Sequence, residues 1–520
     1  MMSAGGTLDG IVRCNARRFP RKAALVSAQK TWSWEALDER VDRGGAALRA
    51  AGLARGDRVA VLASNCVEYW EIYFACARAG LIATPLNYRL TPGELAQIIA
   101  HAEPGLLICG AEYQPVVRAL EARPPAWVIG KSGGETPSWD ERLAAAGDAP
   151  AFASGDEDDT FAIFFTSGTT GLPKGAMVSH RNLEANGYNQ IIADRALGED
   201  INLIATPIYH MGAVFMAISY MMLGCTQVIA ERFTPAGWLR ALAETRASVS
   251  LLVPTMINAL LHASELATAD LSSLRLIFYG GGPMPPAVLA RALAALPCGF
   301  TQGYGLTETL EATFLTADDH RRSDARGRAR LASAGREALG AEVRILGPDG
   351  AEKPAGEVGE VVVRSRSVIA GYWRQPEATR AAIRDGWFHT GDLGYVDDER
   401  YLFIVDRLTD MVVSGGVNIY TREIEEALYG HPAVREAAVF GLPDEQWGEK
   451  LCAAIVLRGD MSCDEAALRA HCASRLAGFK KPRAFFFMAE LPKNPSGKIL
   501  KRRLRDHFMN ESSGSGDLTR

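Results

Sequence analysis

Apolar and polar positions along this chain fall into short buried runs that alternate with longer amphipathic stretches. Residues 37–52 carry Leu37, Val41 and Leu48 on one helical face and stop at Gly52, after which residues 58–62 read as a buried strand. Over residues 67–78 the spacing predicts a helix with Tyr69, Ile72, Tyr73 and Cys76 turned inward, closed by Gly80. A strand at 81–86, a helix carrying Leu95, Ile98, Ile99 and Ala102, and a strand at 106–109 follow. Strands alternating with amphipathic helices predict βαβ units and a largely parallel sheet, and the alternation resumes with strands at 249–253 and 274–279.

From Ala341 the texture changes to short alternating runs, 342–346 and 360–364, around the turn Gly347-Pro348-Asp349-Gly350, as in an antiparallel or barrel-like subdomain. A smaller unit follows Asp406. In it Thr421 can cap a helix with Ile424 and Leu428 on its inner face, Gly430 closes that helix, and strand-like runs stand at 437–440 and 451–457. Residues 145–159 read as a surface connection, 318–330 as a solvated excursion and 511–520 as a disordered polar tail. The expected fold class is α/β: a large N-terminal domain of parallel βαβ sheets with a barrel-like subdomain, then a small mobile α+β domain. A chain of 520 residues exceeds what one core organises.

Composition narrows the function classes. Apolar residues at 48% and charged ones at 22% are those of a soluble globular protein, and a net charge of −5 argues against a nucleic-acid surface. Nine cysteines are scattered singly with no Cys-x-x-Cys pair, which suits reduced thiols in a cytoplasmic protein and supplies no zinc ligand set. The opening residues lack the layout of a signal peptide. Residues 212–230 are uncharged but include Ser219, Tyr220, Gly224, Thr226 and Gln227 without a basic flank. They predict a buried helix and strand rather than a membrane span.

The stretch with most chemistry is Phe164-Phe165-Thr166-Ser167-Gly168-Thr169-Thr170-Gly171-Leu172-Pro173-Lys174-Gly175. Two aromatics end a buried strand; hydroxyls and glycines then offer side-chain and backbone donors, and Lys174 adds a point charge, the chemistry of a polyphosphate loop. A polar surface turn is the plain alternative. It is not the P-loop of the NTPases, because Lys174 is followed by Gly175 rather than a hydroxyl residue. The loop resembles the phosphate-binding loop of the adenylate-forming superfamily, which includes acyl-CoA synthetases, luciferases and peptide-synthetase adenylation domains.

Further elements carry the same resemblance in the same order across about 330 residues. The triplet Gly280-Gly281-Gly282 after a strand offers backbone on which a flat ring can lie, or simply a sharp turn. Gly303-Tyr304-Gly305-Leu306-Thr307-Glu308 is similar to the superfamily's Tyr-Gly-x-Thr-Glu element. The resemblance implies that Tyr304 stacks near adenine, that Thr307 touches the α-phosphate, and that Glu308, with Thr166, helps hold Mg2+. Asp392, on a glycine-flanked turn, matches a ribose-binding aspartate, and Arg407 of Asp406-Arg407 reaches the same ribose. The domain boundary is then expected after Asp406, giving domains 1–406 and 407–510 before the 511–520 tail. The pivot lies near Thr409, where the family usually carries Lys or Asp. Gly415 and Gly416 match a glycine loop that lines the pantetheine passage. Lys498, in Pro492-Lys493-Asn494-Pro495-Ser496-Gly497-Lys498, matches the lysine that bridges carboxylate and departing phosphate.

Taken together, the resemblance implies an ATP- and Mg2+-dependent ligase that converts a carboxylic acid to an acyl adenylate and then, with coenzyme A, to a thioester, with Lys498, Glu308 and Thr166 at the chemistry. Thr206-Pro207-Ile208-Tyr209-His210-Met211-Gly212 aligns with the acyl-pocket entrance. Val214 and Phe215 lie beyond it, and Gly281, Gly282 and Gly303 leave room; no acid in this stretch would pair with an amino group. A medium- or long-chain fatty acid, or an aryl or alicyclic acid, fits. The chain ends soon after Lys498, which favours free coenzyme A over a tethered arm, and Lys480 and Lys481 are candidates for its phosphates. Alternatives are a stand-alone adenylating enzyme that serves a carrier protein, a luciferase-like oxygenase and an inactive nucleotide-binding module. The partners expected are the acid and coenzyme A, with no nucleic acid and no transmembrane segment; a homodimer stays open.

Overall fold

The computed structural model describes residues 6–121, 123–131, 136–147, 155–166, 173–322, 324–415, 417–459, 461–493 and 499–514. The chain forms two compact units, one of Met1–Val343 with Val362–His389, the other of Arg344–Val361 with Thr390–Arg520.

The first unit holds two sheets. In the six-stranded one the order is Ala126–Ile129, Leu106–Gly110, Arg58–Leu62, Ile82–Pro85, Thr160–Thr166, Lys174–Ser179. Its strands are parallel up to Thr160–Thr166, and only Lys174–Ser179 runs antiparallel. The nine-stranded sheet runs parallel through Thr226–Ile229, Ile201–Ile204, Val249–Leu252, Leu276–Tyr279 and Gly299–Leu306, then turns antiparallel at Leu310–Leu315. Ligands of such sheets sit beyond the carboxyl ends of the strands, where Thr166 and Gly280 stand.

Two local expectations change and a third holds. The Val67–Ala79 helix is buried all round, not on one face. Its charges survive burial through pairing: Arg40 Nε holds Glu71 at 2.8 Å, and Arg78 holds Asp38 at 2.6 Å and Asp42 at 2.8 Å. The 318–330 run is not wholly solvated. Helices Ala317–His320 and Ala325–Arg330 form there; Asp319, His320 and Arg330 are buried, and His320 Nε2 shares a 2.8 Å hydrogen bond with the Tyr279 hydroxyl. The uncharged 212–230 stretch folds as helix Met211–Met222 and strand Thr226–Ile229, and among the described residues no helix is long and apolar enough to cross a membrane.

In the second unit the ends of Trp387–Val396 and Leu402–Arg407 pair antiparallel, with Asp392 opposite Arg407. The long hairpin Val434–Asp444 and Gly448–Leu457 packs against helix Thr421–Tyr429. Thr421 is not the cap of that helix but its first residue. The cap is supplied from afar: Asp406 accepts from the Thr421 backbone N–H, and from its hydroxyl at 2.9 Å. Lys501 Nζ donates to the Thr421 hydroxyl at 2.7 Å and pairs with Glu425 at 2.8 Å. Burial works against the charge of Lys501, but Glu425, Asp410 and Asp406 outweigh it and hold the ammonium above its ordinary range. The helix that carries Lys501 runs to Gly514, past the Glu511 at which a tail is expected.

Candidate active site

Thr166 and Lys174 are register partners across the Thr160–Thr166 and Lys174–Ser179 ladder, so the glycine- and hydroxyl-rich loop begins and ends at one point. Ser167, Gly168, Thr169, Thr170 and Gly171 lie outside the described residues, as do Gly416 and Lys498.

Glu308 reaches that point from the turn between Gly299–Leu306 and Leu310–Leu315. Thr166 Oγ1 is 3.5 Å from Glu308 Oε1 and 3.4 Å from the Lys174 carbonyl oxygen. Both contacts are long for a hydroxyl donor, and one proton cannot serve both, so neither fixes the Thr166 hydroxyl. The firm contact is from Tyr372, whose hydroxyl donates to Glu308 Oε1 at 2.9 Å. Burial, and then the Glu308 carboxylate, push the Tyr372 phenol well above its ordinary range, so it stays a donor. Lys174 Nζ lies 5.1 Å from the centre of the Tyr372 ring, a cation–π distance. Backbone bonds fix this tyrosine to the strand after the loop: Met177 N–H donates to Gly371 O at 3.0 Å and Trp373 N–H to Gly175 O at 2.7 Å. The sequence offered little to find Tyr372, since its partner is 64 residues away.

The glycines beside Glu308 answer to close backbone approach. A Cβ at Gly280 would stand 2.8 Å from the Gly303 carbonyl oxygen, and one at Gly305 would collide with the Leu310 carbonyl. Gly281 has a positive φ of 75°, while nothing stands near Gly282. Tyr304 and Thr307 are half-buried on the same hairpin.

Of the acyl-site candidates, His210 stands at the N-cap position of helix Met211–Met222 without a side-chain capping bond, and Val214 is buried in its first turn. Asn65 holds the preceding segment rigid: it accepts from Ile208 N–H at 2.8 Å and donates to Thr206 O at 2.9 Å. Burial pushes the His210 imidazole down to about 4, so it is neutral, and its Nε2 has no hydrogen-bond partner among the described residues. The Cα face of Gly303 is filled, not open: a Cβ there would collide with Glu311 Oε2 and with the Phe278 ring. Glu311 is the second residue the sequence reading passed over. Its signal was a lone acid within an apolar strand.

In the second unit Asp392 is buried and its Oδ1 is 3.1 Å from Arg407 Nε. Arg407 is partly exposed, so the pair keeps a face for a ligand. Gly415 takes a φ of 60° against the Trp447 ring. Lys480 pairs with Glu423 at 2.6 Å.

Residues 12–373 match the model of a family described as AMP-binding enzyme, and residues 423–498 match AMP-binding enzyme C-terminal domain. The chain belongs to the AMP-binding enzymes. As a member of that adenylate-forming family it is an ATP-dependent acid ligase. This AMP-binding enzyme is similar to a feruloyl-CoA synthase of Amycolatopsis sp, 38% identical over 95% of this chain and 97% of the relative. It is also similar to a fatty acid–[acyl-carrier-protein] ligase, ScoC of Streptomyces coeruleorubidus, 36% identical over 98% and 97% respectively. Among solved structures it resembles the amide bond synthetase McbA from Marinactinospora thermotolerans, with a TM-score of 0.87, 30% identity and coverage of 97% of this chain and 100% of that one.

Proposed function

We propose that this ligase is an acyl-CoA synthetase. It activates a hydrophobic carboxylic acid, fatty, aryl or alicyclic, with ATP, and passes the acyl group to coenzyme A, releasing AMP and pyrophosphate. The observation that carries the reading is the convergence of Thr166, Lys174 and Glu308, oriented by Tyr372, where the hydroxyl-rich loop begins and ends.

A carboxylate is a poor acyl donor because its leaving group would be oxide. Attack of one carboxylate oxygen on the α-phosphorus expels pyrophosphate and leaves an acyl phosphate anhydride, whose leaving group is AMP. Lys174 offsets charge on the phosphates, and the loop's hydroxyls and amides hold their oxygens. Glu308 and Thr166 are hard oxygen donors with uncommitted lone pairs, and Mg2+ takes one or two carboxylates beside phosphate oxygens, so these residues fit that ion. When bound, it neutralises phosphate charge. Asp392 accepts from the ribose hydroxyls and Arg407 orients it. Lys498 steadies the carboxylate against the departing phosphate. A coenzyme A thiol then attacks the carbonyl, and AMP leaves. Domains 1–406 and 407–510, pivoting near Thr409, alternate between presenting Lys498 and presenting the Gly415–Gly416 passage. In the second unit the Thr409 carbonyl accepts from Arg505 Nη1 at 3.1 Å.

The test is pyrophosphate exchange into ATP, which should require both Mg2+ and a carboxylic acid. No exchange with any acid, with ATP bound but no AMP released, would return the chain to a nucleotide-binding module. A second reading, transfer to a carrier protein, draws on the similarity to ScoC; it differs in needing no coenzyme A.

A further inference from the structure

Glu311 stands opposite Gly305 in the antiparallel register, and its carboxyl lies over the α-carbon of Gly303. It is only 8% exposed, and Oε2 has no hydrogen-bond partner among the described residues. A buried carboxyl is ordinarily paired, because the unmet bond is a lasting cost. This one is not isolated. Its backbone N–H donates to Asn186 Oδ1 at 3.0 Å, and Asn186 Nδ2 is itself unpartnered. Asn186, Gln190 and Asp194 recur at four-residue steps along helix His180–Asp194 and are all buried. Gln190 Nε2 donates to Asp194 Oδ2 at 2.6 Å and the Tyr220 hydroxyl donates to the same oxygen at 3.1 Å, with the Thr301 hydroxyl also facing Asp194, yet Gln190 Oε1 remains unpartnered among the described residues. A polar stripe with spare acceptors and a spare donor thus lies inside an otherwise apolar core.

Its position ties it to the acid. The Phe278 ring that meets Gly303 beside Glu311 also packs edge-on against Phe215 at 5.7 Å, and Phe215 follows Val214 on helix Met211–Met222. Glu311 therefore stands among the residues assigned to the acyl group. Burial, and then the nearby Asp194, push its carboxyl up to about 8, so at neutral pH it is held largely as the uncharged acid, with acceptor oxygen to spare. An alkyl group placed there leaves the unmet bond in place, whereas a donor removes it, and a site built this way rejects the analogue that lacks the donor.

We infer that Glu311 is a specificity-determining residue that reads a hydrogen-bond donor, a hydroxyl or an amine, on the part of the carboxylic acid remote from the reacting carboxylate. This rests on the acid-activating function proposed above. The acyl class narrows accordingly, from plain hydrocarbon acids to acids of similar size carrying such a donor.

The experiment measures kcat/KM for acid-dependent AMP release by the full chain with ATP and Mg2+. It uses matched acids that share a skeleton and differ in one group: phenylpropanoate against its 4-hydroxy and 4-amino forms, and dodecanoate against 12-hydroxydodecanoate. In at least one set the native chain should prefer the donor-bearing acid by roughly tenfold or more. Glu311→Leu should erase that ratio by depressing the donor-bearing acid, with the hydrocarbon parent held or improved. Glu311→Gln, nearly the same shape and still carrying an acceptor oxygen, supplies the measurement if the leucine variant does not fold, and should keep only part of the preference for either donor. Native preference for the hydrocarbon members throughout, or a donor ratio unchanged in both variants, overturns the inference. Absence of AMP release by the native chain with every acid would instead overturn the acid-activating function on which it rests.

Discussion

Tyr372 donates its hydroxyl hydrogen to Glu308 Oε1 at 2.9 Å while its ring faces the Lys174 ammonium, so one side chain orients both charges at the loop. A hydrogen bond to a charged group contributes about 1.5–3 kcal/mol, which corresponds to roughly ten- to hundredfold in rate if it is expressed at the transition state. Tyr372→Phe keeps the ring and its cation–π contact and removes only the donor. We expect acid-dependent pyrophosphate exchange to fall about tenfold, with a higher Mg2+ requirement and little change in melting temperature. A titration of rate against Mg2+ checks this; an unaltered curve would show that Glu308 does not depend on the tyrosine.

Lys498 is expected to serve the first half-reaction alone. Lys498→Ala should abolish adenylate formation from ATP and acid, yet still yield thioester when a prepared acyl adenylate and coenzyme A are supplied. Two single-turnover assays read the two halves separately. Normal pyrophosphate release by the variant would remove Lys498 from the chemistry.

The charge network of the second unit gives a stability prediction. Lys501 is half-buried, paired with Glu425 at 2.8 Å, and also supports Thr421, whose N–H is capped by Asp406. Lys501→Met leaves the Glu425 carboxylate without its counter-charge, which costs about 3–5 kcal/mol when such a pair is broken from one side. Combined with Glu425→Leu the loss should shrink, because an apolar pair of similar volume carries no desolvation penalty. Denaturant unfolding of both variants measures the difference.

Glu311 gives a pH prediction whose sign follows from its raised folded-state affinity for a proton. The folded chain holds that proton up to about pH 8, whereas the unfolded chain releases it in the ordinary carboxylate range. The contribution is therefore fully present in acid and lost as pH rises through about 8. Glu311→Gln has no proton to lose. Relative to that variant, the native chain should lose a few kcal/mol of stability between about pH 5 and 9. Asp194, pushed up to about 6 mainly by burial, titrates in both proteins and largely cancels in the difference. Parallel stability curves for the two would show that Glu311 is already paired.

Much of the fold was legible because the signals were local. The strands ending at Thr166 and Tyr279 follow from apolar runs bounded by glycine, and the 212–230 stretch divides where Gly224 interrupts it. What escaped is tertiary. The Val67–Ala79 helix shows an amphipathic pattern, but Glu71 and Arg78 find partners on neighbouring segments and both faces are buried. Thr421 reads as a cap because it precedes apolar positions at helical spacing, yet Asp406, 15 residues earlier, performs that task. The site divides the same way. Glu308 and Lys174 stand in motifs, while Tyr372 and Glu311 have meaning only through what faces them across other strands.

The measurement that bears most directly on the central claim is mass spectrometry of the purified chain with ATP, Mg2+ and pooled carboxylic acids of graded length, ring content and polar substitution, with and without coenzyme A. We expect AMP, pyrophosphate and an acyl-CoA whose mass names the acid, the thioester forming only when coenzyme A is present. AMP and an acyl adenylate with no thioester in either arm would contradict an acyl-CoA synthetase and point to a carrier protein as the acceptor.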